Sequence, residues 1–286
     1  MVVDAAKGAR IEDLLELMNL MDGLAWEVYQ PIVDALERQA GAEHGPAIAA
    51  ALLVPRSQET EENRLRLLAR LAARTTNPVC LPPLRQLLVK GAANGPVGDS
   101  VAEEVAKAML ELAGAARRPM LEELLASPRA VVVAVALVVP ELRADAALRA
   151  MAKTAVLRLV DTVDLTHEMF EALPPDDATA LARELLLHER FASMPSRSSA
   201  RVLEAPRLAK RTIEPALLAR AALHQDSDVR TQAATELGNT FTREAAPFLI
   251  EMLKDAHKGV RDAAQRSLDQ IANYLDAKAK WEQRLK

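Results

Sequence analysis

The feature that most constrains this chain is a repeat towards its C-terminal end. Asp226-Ser227-Asp228-Val229-Arg230-Thr231-Gln232-Ala233-Ala234 and Val260-Arg261-Asp262-Ala263-Ala264 align at a constant offset. Val229 and Val260 are 31 positions apart, as are Arg230 and Arg261, Ala233 and Ala264, and Leu237 and Leu268. Upstream, Leu218 with Leu249 and Ala222 with Leu253 keep the same offset. A unit of about 30 residues cannot bury its own apolar stripe, so neighbouring units must stack on one another. Each unit reads as an apolar helix, an Asp-bearing turn, and a second helix that opens with Val-Arg. Pro215 and Pro247 fall where the first turn of a helix tolerates proline.

Composition agrees with stacked helices. Ala supplies 54 and Leu 43 of the 286 residues, whereas aromatics make up 3%. Ala and Leu are strong helix formers and poor strand formers. Sandwich, barrel and dinucleotide-binding folds are excluded, and the apolar half of the chain excludes disorder. Small residues at helix crossings let axes approach to about 8–10 Å.

These residues resemble the HEAT repeats. The matching elements are the turn Asp (Asp226 or Asp228, then Asp255), the Val-Arg pair, the Ala pair and the later Leu. The resemblance covers about residues 213–275. It is weaker over 81–141, where 81–89 pairs with 101–112, and 120–125 with 130–142, without the Val-Arg signature. It implies an all-α protein, a right-handed α-solenoid of stacked antiparallel helix pairs with a helical N-terminal region. It also implies that Arg230 and Arg261 are structural, each reaching the turn Asp of a neighbouring repeat.

We divide the chain into an acidic helical cap region (1–75), divergent repeats (76–212) and two clear repeats with an extended last helix (213–286). Residues 1–80 and 142–212 are helical by composition but show no clean period. Residues 54–63 read as a polar loop, 91–98 as a flexible Gly-rich turn, and 173–177 as a helix end followed by a cap. Residues 192–212 read as an irregular connection, ordered or floppy. The Val-rich run 130–140 suits a strand by propensity, but a lone strand has no partner, so it is expected to be a buried helix. It is also shorter than the roughly 20 residues a membrane span needs, so no insertion is expected.

Net charge is −8 over residues 1–62 and +4 over the rest, giving −4 overall. Cys80 stands alone, which forbids an internal disulfide and fits a reducing, cytoplasmic setting. Its place before Leu81-Pro82-Pro83 suggests a small buried role. The N-terminus has no basic stretch followed by an apolar one, so no signal peptide is expected.

Motifs for phosphate loops, dinucleotide binding and nucleophile elbows are absent from the sequence. Two other HEAT-like classes were weighed. Deoxyhypusine hydroxylases bind iron through repeated His-Glu pairs, and this chain has His167-Glu168 and His188-Glu189. Those pairs lie 21 apart, off the period, and number two where that family shows four, so they read as surface neighbours. His224 and His257 flank the Asp turns and read as exposed. DNA glycosylases for alkylated purines are also HEAT-like. Arg197, Arg201, Arg207, Lys210, Arg211 and Arg220 form a locally basic stretch, but no aromatics are interleaved for base stacking.

At about 100° per residue, the positions four, eight and eleven after Val fall on the buried face, and those two and six after it point away. The outward set is Thr231 and Thr235, then Asp262 and Arg266, continued by Asp269 and Asn273. By the HEAT resemblance this strip lines the concave side and is the expected partner-binding surface. Trp281 lies past the last repeat, as an end clamp or a partner anchor. The sequence is therefore read as a non-catalytic scaffold for a protein partner, with no cofactor or metal and nucleic acid disfavoured. A His-Glu iron enzyme or a glycosylase-type protein are the alternatives.

Overall fold

The computed structural model describes residues 9–20, 26–54, 58–90 and 97–284. Those residues form seventeen α-helices joined by short 3-10 turns, with no strand among them. The chain divides into two compact units, Met1–Ser127 and Pro128–Lys286.

The first unit contains α1 (Ile11–Leu20), α2 (Trp26–Gln39), α3 (Gly45–Leu53), α4 (Gln58–Thr75), α5 (Leu81–Lys90), α6 (Asp99–Leu112) and α7 (Arg117–Ala126). α4 runs along α6, which also carries α5 as its antiparallel neighbour. Leu14, Ile32, Leu36, Ile48, Leu68 and Leu84 are fully buried in this unit. The loop expected at 54–63 is shorter than its polarity suggests, because α4 already begins at Gln58. The reason lies in one buried pair. Arg64 grips both carboxylate oxygens of Glu61 at 3.0 and 2.9 Å. Its remaining donors reach Ala51 O at 2.9 Å and Val54 O at 2.7 Å. Both carbonyls lie where α3 ends, so the polar run folds as a helix that caps its predecessor. Cys80 is fully buried, and its thiol donates to Gly45 O at 3.4 Å. Burial pushes that thiol above its usual range, with Thr75 opposing. The Gly-rich turn expected at 91–98 lies mostly outside the described residues.

The second unit opens with α8 (Ala130–Leu137) and α9 (Glu141–Ala144). The Val-rich run is thus helical, with Val132, Val133 and Val135 buried. Four helix pairs follow: α10 (Ala146–Arg158) with α11 (His167–Glu171), and α12 (Pro175–Leu187) with α13 (Ser196–Leu208). Next come α14 (Pro215–Leu218), extended by the 3-10 turn Ala219–Leu223, with α15 (Ser227–Gly238), and α16 (Ala246–Met252) with α17 (Lys258–Arg284). The second helices begin at His167, Ser196, Ser227 and Lys258, which are 29, 31 and 31 residues apart. A period therefore runs through 142–212, where the sequence showed none. The irregular connection expected at 192–212 is mostly the regular helix α13.

The alignment also shows why this was hidden. Shifted by 31, Ser198 and Ser199 take the places of Val229 and Arg230. Both serines are fully buried, and hydrogen bonds replace packing. Ser198 Oγ accepts from Leu165 N at 2.9 Å and donates to Val163 O at 3.1 Å, tying α13 to the segment before α11. Where the signature is intact, Ala233, Ala234, Ala263 and Ala264 are buried as expected, and α15 lies along α17. At one crossing even alanine is too large. A Cβ on Gly238 would lie 2.5 Å from Ser267 Oγ and 3.1 Å from Ser267 Cα.

Candidate partner-binding surface

The junction between the last two pairs is built on charge. Arg230 Nε donates to Asp255 Oδ2 at 2.7 Å and its Nη2 to Oδ1 at 3.1 Å, a two-pronged pair. Arg230 Nη1 also donates to His224 O and Gln225 O, each at 2.9 Å. The two side chains are 16% and 14% exposed, so water screens them little. Hydrogen bonding from Arg230 holds the Asp255 carboxyl below the usual carboxylate range. The same pair raises the Arg230 guanidinium. Asp255 also accepts from His257 N at 2.7 Å, closing the turn before α17. Arg230 therefore reaches the turn Asp of the next repeat, as expected. Arg261, expected to do the same, does not meet a turn Asp side chain of a neighbouring repeat but donates to the backbone oxygens of Asp255 and Ala256 in its own turn, at 2.7 and 2.8 Å. Of the two candidate turn residues before α15, Asp226 makes the cap, accepting from Asp228 N at 2.7 Å, and Asp228 is exposed.

His224 corrects the sequence reading. It is 3% exposed rather than a surface turn residue. Asp226 N donates to its Nδ1 at 3.0 Å, so Nε2 carries the proton and faces Ser199 Oγ at 3.2 Å and Met194 O at 3.3 Å. Phe191 meets the ring edge-on at 5.9 Å. A protonated Nε2 cannot take a proton from Ser199, so this pair joins two repeats and does not activate a nucleophile. Burial pushes the imidazole below its usual value. No sequence signal beyond the offset of 31 between Ser199 and Arg230 pointed to it.

The outward strip is then placed by these junctions. Thr235, Arg266, Asp269 and Asn273 are exposed, and Thr231 and Asp262 half-buried. Both threonine hydroxyls bond back to their own helix, Thr231 to Ser227 O at 2.8 Å and Thr235 to Thr231 O at 3.1 Å. Asp262 pairs with Lys258 at 2.5 Å, and Asp269 accepts from Gln265 at 2.9 Å. Trp281 lies on α17, with its side chain outside the described residues. Tyr274 on the same helix is half exposed and leans on Phe241, with ring centroids 4.8 Å apart.

The other charged residues form cross-pair bridges. Lys153 meets Glu184, Arg183 meets Glu214 at 2.8 Å, and Arg207 meets Glu236 at 3.2 Å. Arg211 meets Asp176 at 2.7 Å, and Arg220 donates to Leu186 O at 2.7 Å. Arg201 is held by Glu204 at 2.7 Å within its own helix. Three of the six cations in the locally basic stretch, Arg201, Arg207 and Arg211, are thus paired with carboxylates in place. His167 lies 3.6 Å from Glu204, whereas His188 Nδ1 accepts from Arg190 N at 3.2 Å. Among the described residues no three His, Cys, Asp or Glu side chains gather as metal ligands. Nor is any described helix long and apolar enough to cross a membrane.

With this geometry in place, the family can be stated. The family model for HEAT repeats matches residues 195–280, which span α13, α15 and most of α17. That segment matches HEAT repeats, and the described residues have a helical repeat fold. No curated protein matches the chain. Solved structures similar to it include human deoxyhypusine hydroxylase in complex with glycerol, at 14% identity and a TM-score of 0.36, covering 92% of this chain and 97% of that one. A designed armadillo repeat protein in complex with the peptide (KR)4 is similar at 14% identity and a TM-score of 0.32, covering 92% of this chain and 100% of that one.

Proposed function

We propose that the protein is a non-catalytic, cytoplasmic scaffold that binds a protein partner along the outward strip of α15 and α17. The observation that carries this reading is the contrast between the two faces of these helices. Their inner positions are fully buried and locked by Arg230 and Asp255, while Thr235, Arg266, Asp269 and Asn273 stand exposed on adjacent turns. A rigid frame that presents polar groups at fixed spacing binds without ordering cost in the frame itself. The partner spans both helices, with the exposed Arg266 offering a cation to a partner carboxylate.

The test begins with partners captured from the native organism and identified by mass spectrometry. Binding to each purified partner is then compared for the wild-type chain and a Thr235→Glu/Arg266→Glu variant. A drop of at least about tenfold in affinity, with unchanged thermal unfolding, is expected from reversing a central interface charge. A partner that binds both forms equally overturns the assignment of this surface.

A further inference from the structure

The helices α13 and α15 lie side by side in adjacent pairs, and α15 packs less extensively on α13 than on α17. Their two ends are joined by different chemistry. At the C-terminal end Arg207 of α13 holds Glu236 of α15 at 3.2 Å. At the N-terminal end the crossing bonds converge on one turn, residues 224–226. Ser199 Oγ of α13 faces His224 Nε2 at 3.2 Å, and Met194 O, just before α13, faces the same nitrogen at 3.3 Å. Ser196 Oγ donates to the Asp226 carboxylate. The turn itself is closed by Asp226 N, which donates to His224 Nδ1 at 3.0 Å.

A second proton on the ring does not fit this turn. Nδ1 accepts here, and once protonated it becomes a donor pointed at another donor, the Asp226 N–H. His224 is 3% exposed, so bulk water does not share the charge. The charged groups facing the ring are Asp226, in its own turn, and Arg230, on α15. From the preceding pair it meets only neutral groups, Ser199, Met194 O and the Phe191 ring. The Asp226 carboxylate favours an imidazolium, but its oxygens are taken by Ser196 Oγ and Asp228 N, and Arg230 opposes the charge.

We propose that His224 is an acid-released latch between repeats. A proton from solution enters at Nδ1, the bond from Asp226 N is lost, and the turn lets go of Ser196, Ser199 and Met194. The N-terminal ends of α13 and α15 then part, while the Arg207–Glu236 tether at the other end acts as the pivot. This is a local opening of one joint and is independent of what the strip on α15 and α17 binds.

Hydrogen exchange of the whole protein, read by mass spectrometry at pH 7.5 and 5.5 with labelling times matched for the intrinsic rate, tests this. Each opening takes up one proton below the unfolded value of 6.5, so amides at 194–200 and 224–230 should lose up to about tenfold in protection at pH 5.5. Amides of the Arg230–Asp255 turn, 253–258, should keep theirs. His224→Gln puts an uncharged amide in place of the ring and should remove the response. A chain with His44, His167, His188 and His257 all changed to Gln should retain it in full, and this variant decides alone if His224→Gln fails to fold. Unchanged protection at 194–200 and 224–230, an equal loss at 253–258, or a response that disappears with the other four histidines overturns the proposal.

Discussion

The last two helix pairs and the two before them stack with nearly the same spacing, 31 against 29 residues, through different side-chain chemistry. Between α14–α15 and α16–α17 the joint is charged: Arg230 clasps Asp255 and the carbonyls of its own turn. Between α12–α13 and α14–α15 the Arg position is Ser199, and a neutral hydroxyl–imidazole contact with His224 spans the joint. One step further back, Ser198 bonds to backbone at Val163 and Leu165. The difference teaches that the period is carried by helix spacing and by small, fully buried positions. The Val-Arg-Asp signature is one of several ways to satisfy the polar groups left at each turn.

The largest break should come where shape alone decides. At Gly238 an added Cβ meets Ser267, including its backbone Cα. Gly238→Val is expected to destabilise the unit by about 3 kcal/mol through overpacking, read by chemical denaturation. Ser267→Gly removes the nearest atoms, so a Gly238→Ala/Ser267→Gly double variant should recover most of the loss seen in Gly238→Ala alone. If the two changes are additive, the crossing is not the cause.

The charged joint comes next. Arg230→Met leaves the Asp255 carboxylate, 14% exposed, with only the His257 backbone donor, and frees two carbonyls. A loss of about 2–3 kcal/mol is expected. Asp255→Asn in the same background should cost much less than it does in wild type. Equal costs in both backgrounds would show that the pair contributes nothing as a pair.

This contrast also marks how far the sequence could be read. Where Val229, Arg230, Ala233 and Leu237 recur 31 residues later, both the repeat and the Arg–Asp clasp were legible. At 196–208 the same frame holds Ser198, Ser199, Val202 and Pro206, none of which matches the residue 31 positions later. Their equivalence depends on burial and on bonds to residues about 30 positions away, and neither is written in local order. The Arg64 clamp was missed for a related reason, since a polar run reads as a loop until its carbonyl partners are known.

The His224 contact should respond to pH in a range where the Arg230–Asp255 clasp does not. Burial lowers the His224 pKa from its unfolded value of 6.5, so the unfolded chain binds the proton more readily. Its contribution is fully present above 6.5 and is lost as pH falls from there towards the lower folded value. Asp226 and Asp255, both lowered from 3.8, act only in more acid solution. The groups facing His224 are Asp226, Arg230, Ser199 and the Phe191 ring. Stability measured between pH 7.5 and 5 should decline in wild type and flatten in His224→Gln. A variant with the same slope as wild type would assign the decline to another group.

The smallest effect is expected from a bridge that equals the Arg230–Asp255 clasp on distance alone. Arg211 donates to Asp176 at 2.7 Å across two repeats, much as Arg230 meets Asp255. Yet Asp176 is 81% and Arg211 50% exposed, against 14% and 16% in the clasp. At the surface each ion exchanges one set of good water contacts for another, and side-chain ordering offsets the remaining attraction. Arg211→Ala should therefore leave the unfolding midpoint where it is, at low and at moderate salt alike. A clear loss at low salt that vanishes at high salt would mean that the exposed bridges act together as a network, and that charge stacks the earlier pairs as well.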